Sequence, residues 1–367
     1  MDTRNKKALV AMSGGVDSSV AANLLIREGF EVAGISFELW DRRDLYRLNT
    51  CCSVETIEIA KDVAGKLGIE HYSVDVRDAF YRYVIEGFCD SYLSGLTPNP
   101  CILCNKYIKF AFLLKKADEI GADIIATGHY ARVERPGSFN GTGGGNERFL
   151  LKKGTDLKKD QSYFLYVMTQ HELSRVVFPL GGMRKEETRR IAEAIGLANA
   201  LRAESQEICF VGDGNYIDFI RNFNPDAFKP GPIVSEKGEV IGTHKGIAFY
   251  TVGQRRRLEI PSLIPFYVVD IDRRKNTIIV GERKGAMRSR VLVRSLNWIS
   301  IDGLNEPVCA GVKIRSTMMA VPSLITPGRD SVFVEFDNPQ WAPAPGQSAV
   351  FYNDDIVIGG GVIEKEE

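Results

Sequence analysis

Residues 8–19 read A-L-V-A-M-S-G-G-V-D-S-S, from Ala8 to Ser19. The five apolar residues Ala8, Leu9, Val10, Ala11 and Met12 have the composition of a short buried strand, and the run breaks at Ser13-Gly14-Gly15 before Val16-Asp17-Ser18-Ser19 begins a helical pattern. Strand, glycine turn and helix together form an anion cradle, because successive backbone N–H groups aim at one point and the helix adds its positive end. Phosphate is the expected guest. The loop lacks the lysine that G-x-x-x-x-G-K-[ST] uses to reach β- and γ-phosphates, which disfavours γ-phosphate transfer.

Downstream, good helix formers from Val20 to Glu28 stop at Gly29, and Val32 to Phe37 reads as a second buried strand. Val54 to Leu67 is helical and ends at Gly68, Ile69 to Val74 is strand-like, and Ala79 to Leu93 is a further amphipathic helix. Strands alternating with helices predict an α/β fold with a doubly wound parallel sheet, whose ligands sit beyond the strand C-termini.

Thr97-Pro98-Asn99-Pro100-Cys101-Ile102-Leu103-Cys104-Asn105-Lys106 opens another helix, ending near Gly121. Cys104 is expected at or near its N-terminus, where the helix dipole favours the thiolate. Ile124 to Thr127 is the next strand, and Gly128-His129-Tyr130-Ala131 at its end aims His129 at the same crevice. Ser138 to Asn146 is a glycine-rich loop, a helix starts near Met183 and ends at Gly196, and Glu204 to Phe210 closes the first domain.

From about Gly212 short strand-like segments take over: Ile233-Val234, Gly246 to Val252, Phe266 to Ile271 and Thr277 to Val280. A second β-rich unit runs from Arg288 through Val308 to Ile314, Ser331 to Phe336 and Gln347 to Ile358, with the spacing of a small barrel. The expected division is a catalytic domain over 1–211, a central β-domain over 212–287 and a C-terminal β-barrel-like domain over 288–367.

The length of 367 residues and a hydrophobic content of 44% fit a soluble protein of two or three domains. No apolar run is long enough for a membrane span and no signal-like core precedes the first strand, so the expected location is the cytoplasm. Seven cysteines then read as thiols or ligands, not as a disulfide framework. A net charge of zero hides an uneven distribution. Residues 251–294 hold eleven Lys/Arg against four Asp/Glu, whereas 330–367 hold one Lys against eight acids. A basic middle is what a nucleic-acid backbone requires.

The loop Ser13-Gly14-Gly15-Val16-Asp17-Ser18 resembles that of the N-type ATP pyrophosphatases, the PP-loop enzymes. Five further segments extend the likeness: Asn99 to Asn105, Thr127 to Ala131, Lys159 to Tyr163, Ser205 to Phe210 and Gly253-Gln254-Arg255-Arg256. In this order they are similar to the bacterial tRNA-specific 2-thiouridylase family over nearly the whole chain. The resemblance implies adenylation of O2 of the wobble uridine by ATP and Mg²⁺, then displacement of AMP by sulfur. It implies an adenine-nucleotide-hydrolase-like domain and two tRNA-holding β-domains. Partners would be the anticodon stem-loop of tRNA and a sulfur-relay protein, with no membrane, and the chain would be a monomer.

By the same resemblance Ala11, Met12, Ser13, Gly14, Gly15, Val16, Asp17 and Ser18 bind ATP, with Phe37, where many members have Met, and Gly128 near the nucleotide. Cys209 carries the persulfide and Cys104 attacks it, releasing sulfur or leaving a Cys104–Cys209 disulfide. Asn99, Pro100, Cys101 and His129 line the base pocket. Lys159, Asp160, Gln161, Arg315, Ser316 and Gln347 touch tRNA.

One departure opens an alternative. Cys101 stands where many members have Asp, and C-x-x-C with Cys209 resembles the three-cysteine site of related thiolases that hold an iron–sulfur, [4Fe-4S], cluster. An amide-forming synthetase would need neither Cys104 nor Cys209 and would release pyrophosphate with a carboxylic acid and no tRNA. A non-catalytic tRNA-binding protein would bind without forming AMP. His71, His171 and His244 read as structural, Cys89 and Cys309 as core, and Cys51-Cys52, ahead of a helix, as structural or incidental or else as a reactive pair. Arg255-Arg256-Arg257 is placed to meet phosphates.

Overall fold

The computed structural model describes residues 6–39, 54–136, 148–197, 208–211, 216–225 and 228–366. Cys51-Cys52, the glycine-rich loop and Ser205-Gln206-Glu207 lie outside them.

The chain opens with β1 (Lys7–Ala11), α1 (Val16–Arg27), β2 (Glu31–Glu38), α2 (Val54–Leu67) and β3 (Glu70–Asp75), followed by β4 (Ile124–Ala126), β5 (Ala131–Glu134), β6 (Leu150–Lys153) and β7 (Val176–Val177). Strands β1, β2, β3, β4 and β7 form a wholly parallel sheet in the order β3-β2-β1-β4-β7. Alternate residues of β1 feed opposite faces: Leu9 joins a core with Phe88, Phe110 and Leu113, whereas Ala8 and Val10 join one with Leu25, Val63 and Ala192. The first core is covered by helical segments from Arg77 to Leu93 and Pro100 to Glu119, the second by α1, α2 and Lys185–Ala194. This is the doubly wound expectation, with the order reversing between β1 and β4.

Several glycines stop elements where the sequence places the stop. Gly29, Gly68, Gly121 and Gly196 all have positive φ, the left-handed conformation that ends helices. Both helical segments facing the first core contain a π-helical stretch, Tyr81–Glu86 and Asn105–Lys109, which hydrophobic periodicity does not reveal.

The central β-domain contains β8 (Gly231–Ser235), β9 (Val240–His244), β10 (Tyr267–Asp272) and β11 (Thr277–Gly281) in the order β10-β11-β8-β9. Gly246 to Val252 is not a strand. Gly246 has φ +136°, and Ile247–Phe249 is a single 3-10 turn that buries Ile247 and Ala248. The C-terminal unit contains β12 (Met287–Trp298), β13 (Val308–Lys313), β14 (Val321–Pro327), β15 (Val332–Trp341), β16 (Ser348–Asn353) and β17 (Ile356–Glu364). Pairing of β12 with β17 closes these six strands into a barrel.

The hairpin β5–β6, unrecognised in the sequence, leaves the catalytic domain and extends the barrel, with Lys152 opposite Ile356. The barrel is tied back by Tyr163 Oη donating to Ser348 O at 2.8 Å and Asn297 Nδ2 donating to Tyr166 O at 2.6 Å. Cys309, expected in a core, is exposed on β13, while Cys89 is buried and desolvation pushes its thiol up to about 12.

Candidate nucleotide and sulfur-transfer site

Reversal of strand order between β1 and β4 leaves a crevice at their C-terminal ends, the usual ligand position in open α/β sheets. Ser13-Gly14-Gly15 leaves β1 there and Thr127-Gly128-His129 leaves β4. A cleft of about 210 Å³ results, lined by Ala11, Met12, Ser13, Asp17, Ser18, Phe37, Gly128 and His129, all expected from sequence, and also by Gln161, Ile35, Thr127 and Lys109.

Two glycines make the cradle geometrically possible. Gly14 has φ +70°, and a Cβ there would meet Thr56 O; a Cβ on Gly128 would lie 2.8 Å from the backbone of Asp17 and Ser18. Gly128→Ala is therefore expected to push the start of α1 away from β4 and to slow any ATP-dependent step by about 10²-fold, the usual effect of a displacement near 1 Å; single-turnover kinetics would measure it.

Gly15 is the N-cap of α1, and no side chain caps the helix there, leaving the positive pole to a ligand. Ser18 Oγ and Ser19 Oγ both donate to Gly15 O, which fixes the turn. Asp17, in the first turn, is held from behind: Lys185 Nζ lies 2.7 and 2.8 Å from its two oxygens and Tyr130 Oη donates to it at 2.9 Å. Without Lys185 a part-buried carboxylate would face the anion site uncompensated. Lys185→Met is expected to weaken MgATP binding at least about tenfold and to lower stability, measurable by equilibrium dialysis and urea unfolding.

His129 is engaged at both ring nitrogens: Thr127 Oγ1 lies 2.6 Å from Nδ1 and Lys109 Nζ lies 3.4 Å from Nε2. Burial, helped by the Lys109 charge, holds its pKa well below 6.5. Desolvation also lowers His71 and His244, which bond Ser36 and Asn276. Below pH 6.5 the unfolded chain binds protons that these native histidines refuse, so the histidine contribution to stability is full well above pH 6.5 and is lost as pH drops toward 5. Thermal melts across that window check this.

The cysteine helix starts at Asn99 (N-cap) and Pro100 (N1). Cys101 is thus the second helical residue and exposed, whereas Cys104 is the fifth and half-buried. The expected placement of Cys104 at the helix N-terminus needs this correction: the dipole, which decays within the first turn, acts more on Cys101. Cys104 and Cys209 both pack against the core beneath the sheet. Phe210, beside Cys209, stacks edge-on with Phe80 and Phe88 at 5.8 and 5.1 Å, anchoring that segment to the helix preceding Cys101. Among the described residues, no three His, Cys, Asp or Glu side chains are grouped to hold a metal ion.

Several residues expected to face RNA are turned inward. The Asp160 carboxylate, 2% exposed, accepts from Ser162 and Gly154 N and pairs with Lys313 of the barrel at 3.3 Å. Gln161 exchanges hydrogen bonds with Tyr130 and reaches the nucleotide cleft. Arg315 donates to Ala342 O, and Gln347 Nε2 donates to Thr97 O at 2.9 Å, so the barrel props the approach to Asn99-Pro100. Lys159 and Ser316 are half-buried, and Arg255, Arg256 and Arg257 are exposed.

A parallel sheet with an uncapped helix and a lysine-free glycine turn at its switch point is the arrangement of a phosphate-binding α/β enzyme, and it fits the PP-loop type of ATP-using enzyme. Family models match consecutive parts of the chain: a tRNA methyl transferase HUP domain over 6–213, a tRNA methyl transferase PRC-barrel domain over 217–282, and an aminomethyltransferase β-barrel domain over 288–363. The tRNA-specific 2-thiouridylase MnmA 1 of Caldanaerobacter subterraneus is 47% identical, covering 99% of both chains. MnmA of Heliobacterium modesticaldum is 47% identical over 97% of this chain and 91% of its own, and that of Clostridioides difficile 44% over 98% and 99%. A solved 4-thiouridine synthetase–RNA complex with bound ATP aligns more loosely, at 18% identity and TM-score 0.37 over 60% of this chain and 51% of that one. The chain belongs to the tRNA-specific 2-thiouridylase family.

Proposed function

We propose that this protein is a tRNA-uridine 2-sulfurtransferase acting at the wobble position. The observation carrying the reading is the convergence of the β1 glycine turn and the β4 segment on one cleft, while Cys104 and Cys209 flank the core beneath the same sheet. MgATP is the adenylating substrate. Uracil O2 attacks the α-phosphorus, pyrophosphate leaves, and O2 becomes part of an AMP leaving group. The terminal sulfur of a Cys209 persulfide attacks C2, AMP departs, and Cys104 thiolate attacks the Cys209 sulfur to release 2-thiouridine and form a Cys104–Cys209 disulfide, which an external dithiol reduces. A base that must leave its stack costs a few kcal/mol, least in a single-stranded anticodon loop.

In this reading the central and barrel domains hold the anticodon stem-loop, with Arg255 to Arg257 meeting phosphates, and a relay protein supplies the persulfide to a cytoplasmic monomer. A [4Fe-4S] cluster on Cys101, Cys104 and Cys209 is the second reading, favoured by the C-x-x-C spacing. Among the described residues the three thiols are not grouped as ligands. The test is pyrophosphate release in the absence of any sulfur donor: it should require tRNA with an unmodified wobble uridine. Release with a carboxylic acid and no tRNA would favour an amide synthetase instead.

A further inference from the structure

Departing pyrophosphate gathers negative charge, and enzymes that use ATP place a cation there. The glycine turn supplies none. Among the described residues lining the cleft, Lys109 is the one cationic side chain. It comes from the cysteine helix, as the last residue of the π-helical stretch Asn105–Lys109. Such stretches alter which way the following side chains face, and they recur at functional sites.

The neighbours of Lys109 fix its direction. An ammonium has only donors, so Lys109 Nζ donates to His129 Nε2 across 3.4 Å, and His129 Nδ1 then carries the proton toward Thr127 Oγ1 at 2.6 Å. The tilted ring of Phe110, 6.1 Å from that of His129, and the edge-on ring of Phe178 at 5.9 Å hold the imidazole in place. A neutral imidazole accepts one ammonium proton and leaves two directed elsewhere, with the full positive charge retained.

We propose that Lys109 is a catalytic residue of the adenylation step, contacting the α-phosphate and the leaving pyrophosphate of ATP, with His129 as its positioning residue. The inference rests on the adenylation reading above. In the step, a bond forms between uracil O2 and the α-phosphorus, the bond from that phosphorus to the bridging oxygen breaks with its electron pair going to pyrophosphate, and the N3 proton passes to solvent. Lys109 exchanges no proton; it stabilises charge. His129 thereby acquires a role other than lining the base pocket. Because Lys109 lies five residues beyond Cys104 on one continuous helical segment, phosphate engagement and the sulfur site share a rigid support.

The test uses the full chain with MgATP and unmodified tRNA, without sulfur donor, reading single-turnover pyrophosphate release. Lys109→Met should slow release by about 10² to 10³-fold, with a smaller change in the KM for ATP. Lys109→Arg, which keeps the charge and guards against misfolding, should retain an intermediate rate. Methylamine should restore part of the rate to Lys109→Ala but none to His129→Ala, a response that a merely structural lysine would not give. Wild-type rates in Lys109→Met, or no rescue of Lys109→Ala alongside a Lys109→Arg variant as slow as Lys109→Met, would overturn the proposal. Absence of tRNA-dependent release in the wild type would instead overturn the adenylation reading on which it rests.

Discussion

Cys104→Ser is expected to reduce 2-thiouridine formation by at least about 10³-fold while leaving tRNA-dependent pyrophosphate release near the wild-type rate, because the nucleophile is a thiolate and a serine hydroxyl is protonated at neutral pH. The two half-reactions separate because Cys104 is not among the residues lining the nucleotide cleft. The variant should also accumulate tRNA joined to Cys209 through the transferred sulfur, visible as a dithiol-sensitive covalent adduct, since that disulfide is formed but not cleaved. Cys209→Ser should lose 2-thiouridine without any such species. Normal thiolation by Cys104→Ser would remove that residue from the sulfur pathway.

The second large effect concerns stability. Asp160 and Lys313 have side chains 2% and 10% exposed and join the catalytic domain to the barrel. Removing one partner leaves a buried charge uncompensated, at a cost of about 3–5 kcal/mol. For Asp160→Ala the lost bonds from Ser162 and Gly154 N add to it. Urea unfolding should show this loss, and the double change Asp160→Asn with Lys313→Met should recover most of it. If Asp160 worked instead by touching tRNA, Asp160→Ala would bind tRNA poorly yet unfold like the wild type.

Much of the fold was legible because its signals are local. A strand ending in Ser13-Gly14-Gly15, helices ending at Gly29 and Gly68, and alternation of strand with helix specify a doubly wound sheet without knowledge of distant contacts. The nucleotide-loop residues and His129 could be located for the same reason: each follows a strand, and strands of a parallel sheet deliver their C-termini to one edge. What sequence did not disclose depends on long-range pairing. The β5–β6 hairpin is ordinary in composition, and its partner β17 lies some two hundred residues away. Asp160 was expected to touch tRNA, and its partner Lys313 lies 153 residues away on β13, a pairing that no local pattern announces. Lys109 carried a weak signal, the basic pair Lys106 and Lys109 after Cys104-Asn105, but the π-helical stretch that aims it into the cleft leaves no trace in hydrophobic periodicity.

The decisive experiment is nucleoside mass spectrometry on unmodified tRNA incubated with MgATP, a persulfide donor, and protein purified without oxygen and stripped of iron. Sulfur transfer through Cys209 and Cys104 predicts 2-thiouridine under these conditions, with Cys101 dispensable. Formation only after iron–sulfur reconstitution would contradict the persulfide relay and make Cys101, Cys104 and Cys209 ligands, and absence of 2-thiouridine under both conditions would contradict the sulfurtransferase assignment itself.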